Sequence, residues 1–88
     1  MMQIRLETGE EAEAQAVDGS VLTLHSPRAF APGSPIRFVA RLEHEERHFE
    51  GRTVGSKRID ERRFEVRMRF VSLRRADREA LVSCLDHE

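Results

Sequence analysis

The sequence predicts a mainly β fold, a small antiparallel six-stranded β-barrel closed by a C-terminal α-helix. Three observations carry that expectation. Phe64, Val66, Met68 and Phe70 alternate without a break with Glu65, Arg67 and Arg69, the period of two that a strand with one buried face requires. Ile36, Phe38, Ala40 and Leu42 alternate in the same way with Arg37, Val39 and Arg41. After Ser72 the period changes to 3.6, with Leu73, Ala76, Ala80, Leu81, Cys84 and Leu85 on one stripe and Arg74, Arg75, Arg78 and Glu79 mostly off it. Successive strands with short connections pair antiparallel, and closing the sheet removes its exposed edges.

The remaining elements follow in order. Gln3 to Thr8 alternates enough for a short strand, and Gly9 to Glu13 reads as an acidic turn or linker. Glu13 to Val17 is a weakly patterned segment. Asp18-Gly19 is a hairpin signal, and Val21, Leu22 and Leu24 form a short buried strand. Ser26 to Pro35 holds all three prolines together with Gly33 and is expected to be a loop. Glu43 to Arg47 is the connection of a hairpin whose second strand runs from His48 to Gly55, through Phe49, Thr53 and Val54. Ser56 to Arg63 is charged and turn-like. Ser72 is the expected N-cap of the helix. The 88 residues form one domain, 1–88, with the barrel over about 12–71 and the helix over about 73–86.

Composition narrows the function classes. An 88-residue chain can bury roughly 60–65% of its unfolded surface, which supplies a core but no deep substrate cleft. No apolar run is long enough for a membrane span, and no basic-then-apolar leader opens the chain, so a cytoplasmic location is expected. The single Cys84 excludes an intramolecular disulfide and a cysteine-cluster metal site. Net charge is −1, but residues 1–46 carry eight acids and four bases while residues 47–78 carry eleven bases and five acids. Fourteen of the fifteen basic residues are arginine, whose planar fork suits carboxylate and phosphate. This asymmetry is either a solvated exterior or a basic face for a nucleotide, nucleic acid or acidic partner.

Two local patterns invite a chemical reading. His44-Glu45-Glu46-Arg47-His48 spells His-Glu-x-x-His, which binds zinc when both histidines share a helical face. Val54 stands where a third histidine would be, and a helix here would lack a broad apolar face. A polar hairpin tip is the expected reading. Cys84, on the apolar stripe of the helix, is expected to be a small core residue. Phe38, Phe49, Phe64 and Phe70 fall on strand faces expected to point inward. Phe30, in the Pro-rich loop, is either a lid over the barrel mouth or an exposed contact. No nucleophile–base pair emerges, so an enzyme is not expected.

In its ordered features the chain resembles a PilZ domain. Asp18-Gly19-Ser20-Val21-Leu22 is similar to the family's Asp-x-Ser turn leading into an apolar strand. Ala31-Pro32-Gly33-Ser34-Pro35-Ile36 matches its Pro/Gly loop before a long strand. Phe64 to Val71 resembles its closing strand, and Arg78-Glu79-Ala80-Leu81 the helix that ends the domain. The resemblance covers about residues 12–85. It implies a barrel with a terminal helix and, where the family's motifs are whole, binding of cyclic-di-GMP. In those members an Arg-x-x-x-Arg segment ahead of the barrel and an Asp/Asn-x-Ser-x-x-Gly turn hold the nucleotide.

The chain departs from both motifs. Asp18 and Ser20 are present, but Thr23 stands at the glycine position, where a β-branched side chain blocks close approach. Arg5 alone lies upstream of Asp18. The pairs Arg37/Arg41, Arg58/Arg62, Arg63/Arg67 and Arg74/Arg78 have the right spacing but follow the turn. The resemblance therefore implies a stand-alone, degenerate member. Such proteins act by binding other proteins in cyclic-di-GMP-related bacterial signalling, typically in motility or type IV pilus control. No cofactor is expected, and cyclic-di-GMP is disfavoured. The expected partner surface comprises Phe30, Arg52, Arg67 and Arg69. Two alternatives stay open: a cyclic-di-GMP receptor using Asp18, Ser20 and arginines from elsewhere, and a nucleic-acid-binding barrel.

Overall fold

The computed structural model describes residues 1–86; residues 87–88, the end of the expected 1–88 domain, lie outside the described residues. Strands β1 (Met2–Leu6), β2 (Glu11–Asp18), β3 (Val21–Ser26), β4 (Pro35–Leu42), β5 (Glu45–Asp60) and β6 (Arg63–Phe70) precede one helix, α1 (Arg75–Asp86). The strands pair antiparallel and close in the order β1-β2-β3-β6-β5-β4. The expected fold class is therefore the observed one. No helix among the described residues is long and apolar enough to cross a membrane.

The barrel begins earlier than expected. β1 belongs to it, with Met2, Ile4 and Leu6 buried, and β2 starts at Glu11 where a linker was anticipated. The buried residues of β2 are the small Ala12 and Ala14, with Val17 partly buried beyond a register shift at Ala14–Ala16, so its apolar period is faint in the sequence. β1 closes the barrel against β4 through just two Cα pairs, Arg5–Val39 and Leu6–Phe38. Beyond them the strands diverge, leaving a groove of about 320 Å³ between Gln3, Arg5, Glu11, Val39 and Arg41.

Of three hairpins, two are tighter than the sequence suggests, and the turn expected at Asp18-Gly19 falls one residue later. β2 and β3 are joined by Gly19-Ser20 alone, since Asp18 pairs with Val21. Gly19 takes φ 62°, the first central position of a type II′ turn, whose twist matches the strands it joins. β4 and β5 are joined by Glu43-His44 rather than by the whole of Glu43 to Arg47. Both residues lie at positive φ, 53° and 70°, the pattern of a type I′ turn built without the usual Asn-Gly. Non-glycine residues there are strained, so the double substitution Glu43→Asn and His44→Gly is expected to stabilise the fold by about 1 kcal/mol. Denaturant titration checks this, and an unchanged or lower midpoint would contradict it.

The third hairpin corrects the expected charged turn at Ser56–Arg63. β5 continues to Asp60, and only Glu61-Arg62 turns. The arm is polar because it overhangs the barrel end, where Lys57 to Asp60 are exposed. Cross-strand pairing of Lys57 with Glu65 supports it. At its tip the Asp60 carboxylate accepts the Arg62 N–H at 2.8 Å and Arg63 Nε at 3.0 Å. These bonds hold its pKa below the ordinary carboxylate value, the backbone bond being the larger cause. Their contribution is present above that ordinary value and fades as pH falls through the lowered one.

Phe38, Phe49 and Phe70 cluster at the centre of the core, with the first two stacked at 5.0 Å between ring centroids. Phe64 also faces inward but sits at the barrel end, half-buried, with Arg58 over its ring at 5.8 Å. The helix closes the opposite part of the barrel. It buries Ala80 and Leu81, with Leu73, Cys84 and Leu85 packed partly against the core. It starts at Arg75, two residues after the expected 73, and Ser72 is not its cap. Ser72 adopts φ 55°, a left-handed kink that redirects the chain, and the Arg74 carbonyl accepts the Arg78 N–H at 3.0 Å. Two clips hold the helix. Arg47 Nη1 meets Asp77 at 3.0 Å, and Arg78 Nε donates to the Gly19 carbonyl at 3.0 Å.

Candidate functional site

The period of two along β6 turns Val66, Met68 and Phe70 inward and leaves Arg67 and Arg69 outside. Register then decides their neighbours. Arg69 stands opposite Arg52 of β5 on one side and Val21 of β3 on the other. Arg67 stands between Thr23 and Gly55. The ladder slips between Thr53 and Gly55, so Val54 is an extra residue on β5. A bulge of this kind re-aims a side chain, and Val54 is 42% exposed. The result is an outer face carrying three arginines around a valine, flanked by small side chains.

Only some of the surface arginines find a carboxylate. Arg37 pairs with Glu7 and Glu50, Arg47 with Glu43, Glu45 and Asp77, and Arg63 with Asp60 and Glu13. Arg28 pairs with Glu10 and Arg75 with Glu79. Among the described residues, Arg52, Arg67 and Arg69 pair with no carboxylate, nor do Arg5, Arg41, Arg58, Arg62, Arg74 and Arg78. The trio is distinguished by lying together on one face. Arg69 Nη1 instead donates to Ser20 Oγ at 3.4 Å, and Arg52 Nη1 donates to the Gly33 carbonyl at 3.1 Å. Neutral acceptors orient a guanidinium without compensating its charge. Of the acids near it, Glu50 is engaged with Arg37, and Glu65 lies beside His25 and opposite Lys57, whereas Asp18 is not engaged among the described residues. Like charges directly across a ladder repel, and Arg52 opposite Arg69 is such a pair.

The sequence-predicted residues divide between this face and other places. Arg52, Arg67 and Arg69 are brought together on it. Ser20 borders it through Arg69, and Asp18 lies on the same row as Val21 and Arg69 but makes no ion pair among the described residues. Thr23 lies beside Arg67, where a glycine would leave the backbone bare. Phe30 lies next to the face at Ser56, but its ring is half-buried against the core. Its N–H donates to Ser56 Oγ at 2.9 Å, and Ser56 Oγ donates back to its carbonyl at 2.8 Å. Of the two expectations for Phe30, the lid is the one observed. Arg5, the upstream arginine, sits on β1 opposite Glu11 and Val39, two strands from β3.

The His-Glu-x-x-His run forms a turn and the start of β5, with His44 in the turn and His48 on the strand. No helical face brings the two histidines together. Among the described residues no group of three His, Cys, Asp or Glu is placed to hold a metal. Two residues of the face escape sequence reasoning. Arg78 reaches the Gly19 carbonyl from the helix, and Val54 is turned outward by a bulge. The helical period put Arg78 off the apolar stripe, but nothing local says which hairpin it meets.

No protein-family model, curated protein or solved structure matches the chain. The fold and the face define it as a small closed antiparallel barrel, capped by a helix, with three arginines gathered on one outer face.

Proposed function

We propose that the chain is a non-enzymatic regulatory module of the PilZ type that binds another protein through its arginine face, in cyclic-di-GMP-related signalling. The observation that supports this is the trio Arg52, Arg67 and Arg69, gathered on one outer face by the register of β5 and β6 and, among the described residues, without a carboxylate partner. A fold gains nothing from opposed arginines, whereas an acidic partner would neutralise both. Arginine is enriched where binding energy concentrates. The motility or pilus setting comes from the resemblance alone.

The test is capture from the native cell with the wild-type chain and with Arg67→Glu/Arg69→Glu, followed by cross-linking to map the contact. Capture of one acidic protein, cross-linked at β5–β6 and weakened at least tenfold in a folded variant, is the expected result. Undiminished capture by the variant would overturn the reading.

A second reading is favoured by one observation. Ser20 lies within reach of Arg69, and Arg78 caps the neighbouring Gly19 carbonyl, so arginines from β6 and α1 stand where the upstream pair is missing. Calorimetry with cyclic-di-GMP separates the two. Micromolar binding lost in Asp18→Ala and Ser20→Ala would establish the nucleotide as ligand.

A further inference from the structure

We infer that the segment docking on the arginine face is an acidic stretch carrying an aliphatic side chain, its carboxylates on Arg52, Arg67 and Arg69 and its aliphatic group against Val54. This rests on the protein-binding reading above and adds the chemistry of the partner. The face is not uniformly cationic. The bulge at Val54 sets a 42% exposed valine among the guanidinium groups. Beside it Gly55 has open space where a side chain would be, so the backbone there is bare and a neighbouring methyl group can settle against it. Val21 and Thr23, half-buried, extend the low surface on the β3 side. An apolar centre ringed by arginine is the composition of a protein interface core.

The same observations weigh against nucleic acid. A single strand is held by aromatic side chains on which bases stack. Phe38, Phe49 and Phe70 are buried, Phe30 packs on the core, and Phe64 lies under Arg58. None is on the face. Duplex binding relies on many phosphate contacts, and three neighbouring arginines are few. For carboxylates the match is direct. Arg52 and Arg69 oppose each other on the ladder with their guanidinium groups held on opposite flanks, at Gly33 and Ser20, so an acidic segment laid across the two strands can set one carboxylate on each.

Fluorescence anisotropy on the full chain tests this with three labelled probes: a ten-residue Asp/Glu peptide with a central Leu, the same peptide with Ser for Leu, and an oligothymidylate of equal length. The Leu peptide is expected to bind about five- to tenfold tighter than the Ser peptide, from partial burial of one aliphatic group, and both are expected to weaken with salt. Val54→Ser should erase that difference and leave the Ser peptide unchanged, while Arg69→Gln should weaken both about tenfold. Equal binding of the two peptides, or tighter binding of oligothymidylate, overturns the inference. If neither peptide binds yet cellular capture is still lost in Arg67→Glu/Arg69→Glu, the acidic–aliphatic chemistry falls and protein binding by the face stands. If capture is also indifferent to that variant, both fall.

Discussion

Gly51→Ala is expected to destabilise the barrel by about 3 kcal/mol or more, lowering its melting temperature by roughly 15 °C. Gly51 is buried on β5 where the strand passes from β4 to β6, pairing with Ile36 on one side and Phe70 on the other. A Cβ at this corner would meet Met68 Cε and come within 2.5 Å of the Arg69 carbonyl oxygen. The methionine can swing away, but the carbonyl belongs to the β6 ladder. Relief requires the two strands to part, at the corner where closure depends on them. Glycine is commonly found where a barrel strand bends sharply. Thermal unfolding followed by circular dichroism would measure the effect. A variant melting within a few degrees of wild type would show that the corner can relax and that the close approach is not what places glycine there.

Leu81→Ala should cost about 3 kcal/mol. Leu81 is fully buried, and Ala80 is the other buried residue of α1. Truncation leaves a cavity between helix and barrel that the two polar clips, Arg47–Asp77 and Arg78–Gly19, cannot close. Their net worth is of order 1 kcal/mol each, so burial of Leu81 is the larger part of what seats the helix. Hydrogen exchange would check this: amides of α1 should lose protection more than those of β4 to β6. Uniform loss across the molecule would mean that helix and barrel unfold as one unit.

Much of this architecture is legible because strands β4 and β6 each bury one face completely enough to print a clean period. Helix α1 prints its own although it buries only Ala80 and Leu81 and leaves Ala76 exposed. Ile36 to Leu42 and Phe64 to Phe70 alternate, and the stripe from Leu73 to Leu85 turns at 3.6. Where burial is partial the print fades. β2 buries two small alanines and shifts register before Val17, and the far half of β5 overhangs solvent, so neither carries an apolar rhythm. Ser72 has the chemistry of an N-cap, yet a left-handed kink occupies that position instead. The face was legible in the same uneven way. Alternation put Arg67 and Arg69 outside, but Arg52 opposite Arg69 depends on register, and the bulge that exposes Val54 has no local sequence signature. Phe30 illustrates the converse, since only its two bonds to Ser56 decide between lid and contact.

The pairing of β3 with β6 has a kinetic consequence. It brings Ser20 to Arg69 across 49 residues, and the helix returns to the same hairpin across 59. Hairpins β2–β3 and β4–β5 can form early from local contacts, yet neither has a finished core until β6 arrives between β3 and β5. Chains whose decisive contacts are so distant fold in milliseconds to seconds rather than microseconds, and stopped-flow refolding should place this one there. The arginine face exists only after that last strand is inserted, because Arg67 and Arg69 ride on it. An acidic partner of the kind proposed would therefore meet its surface only on the completed molecule, since a half-formed chain offers no counterfeit of it.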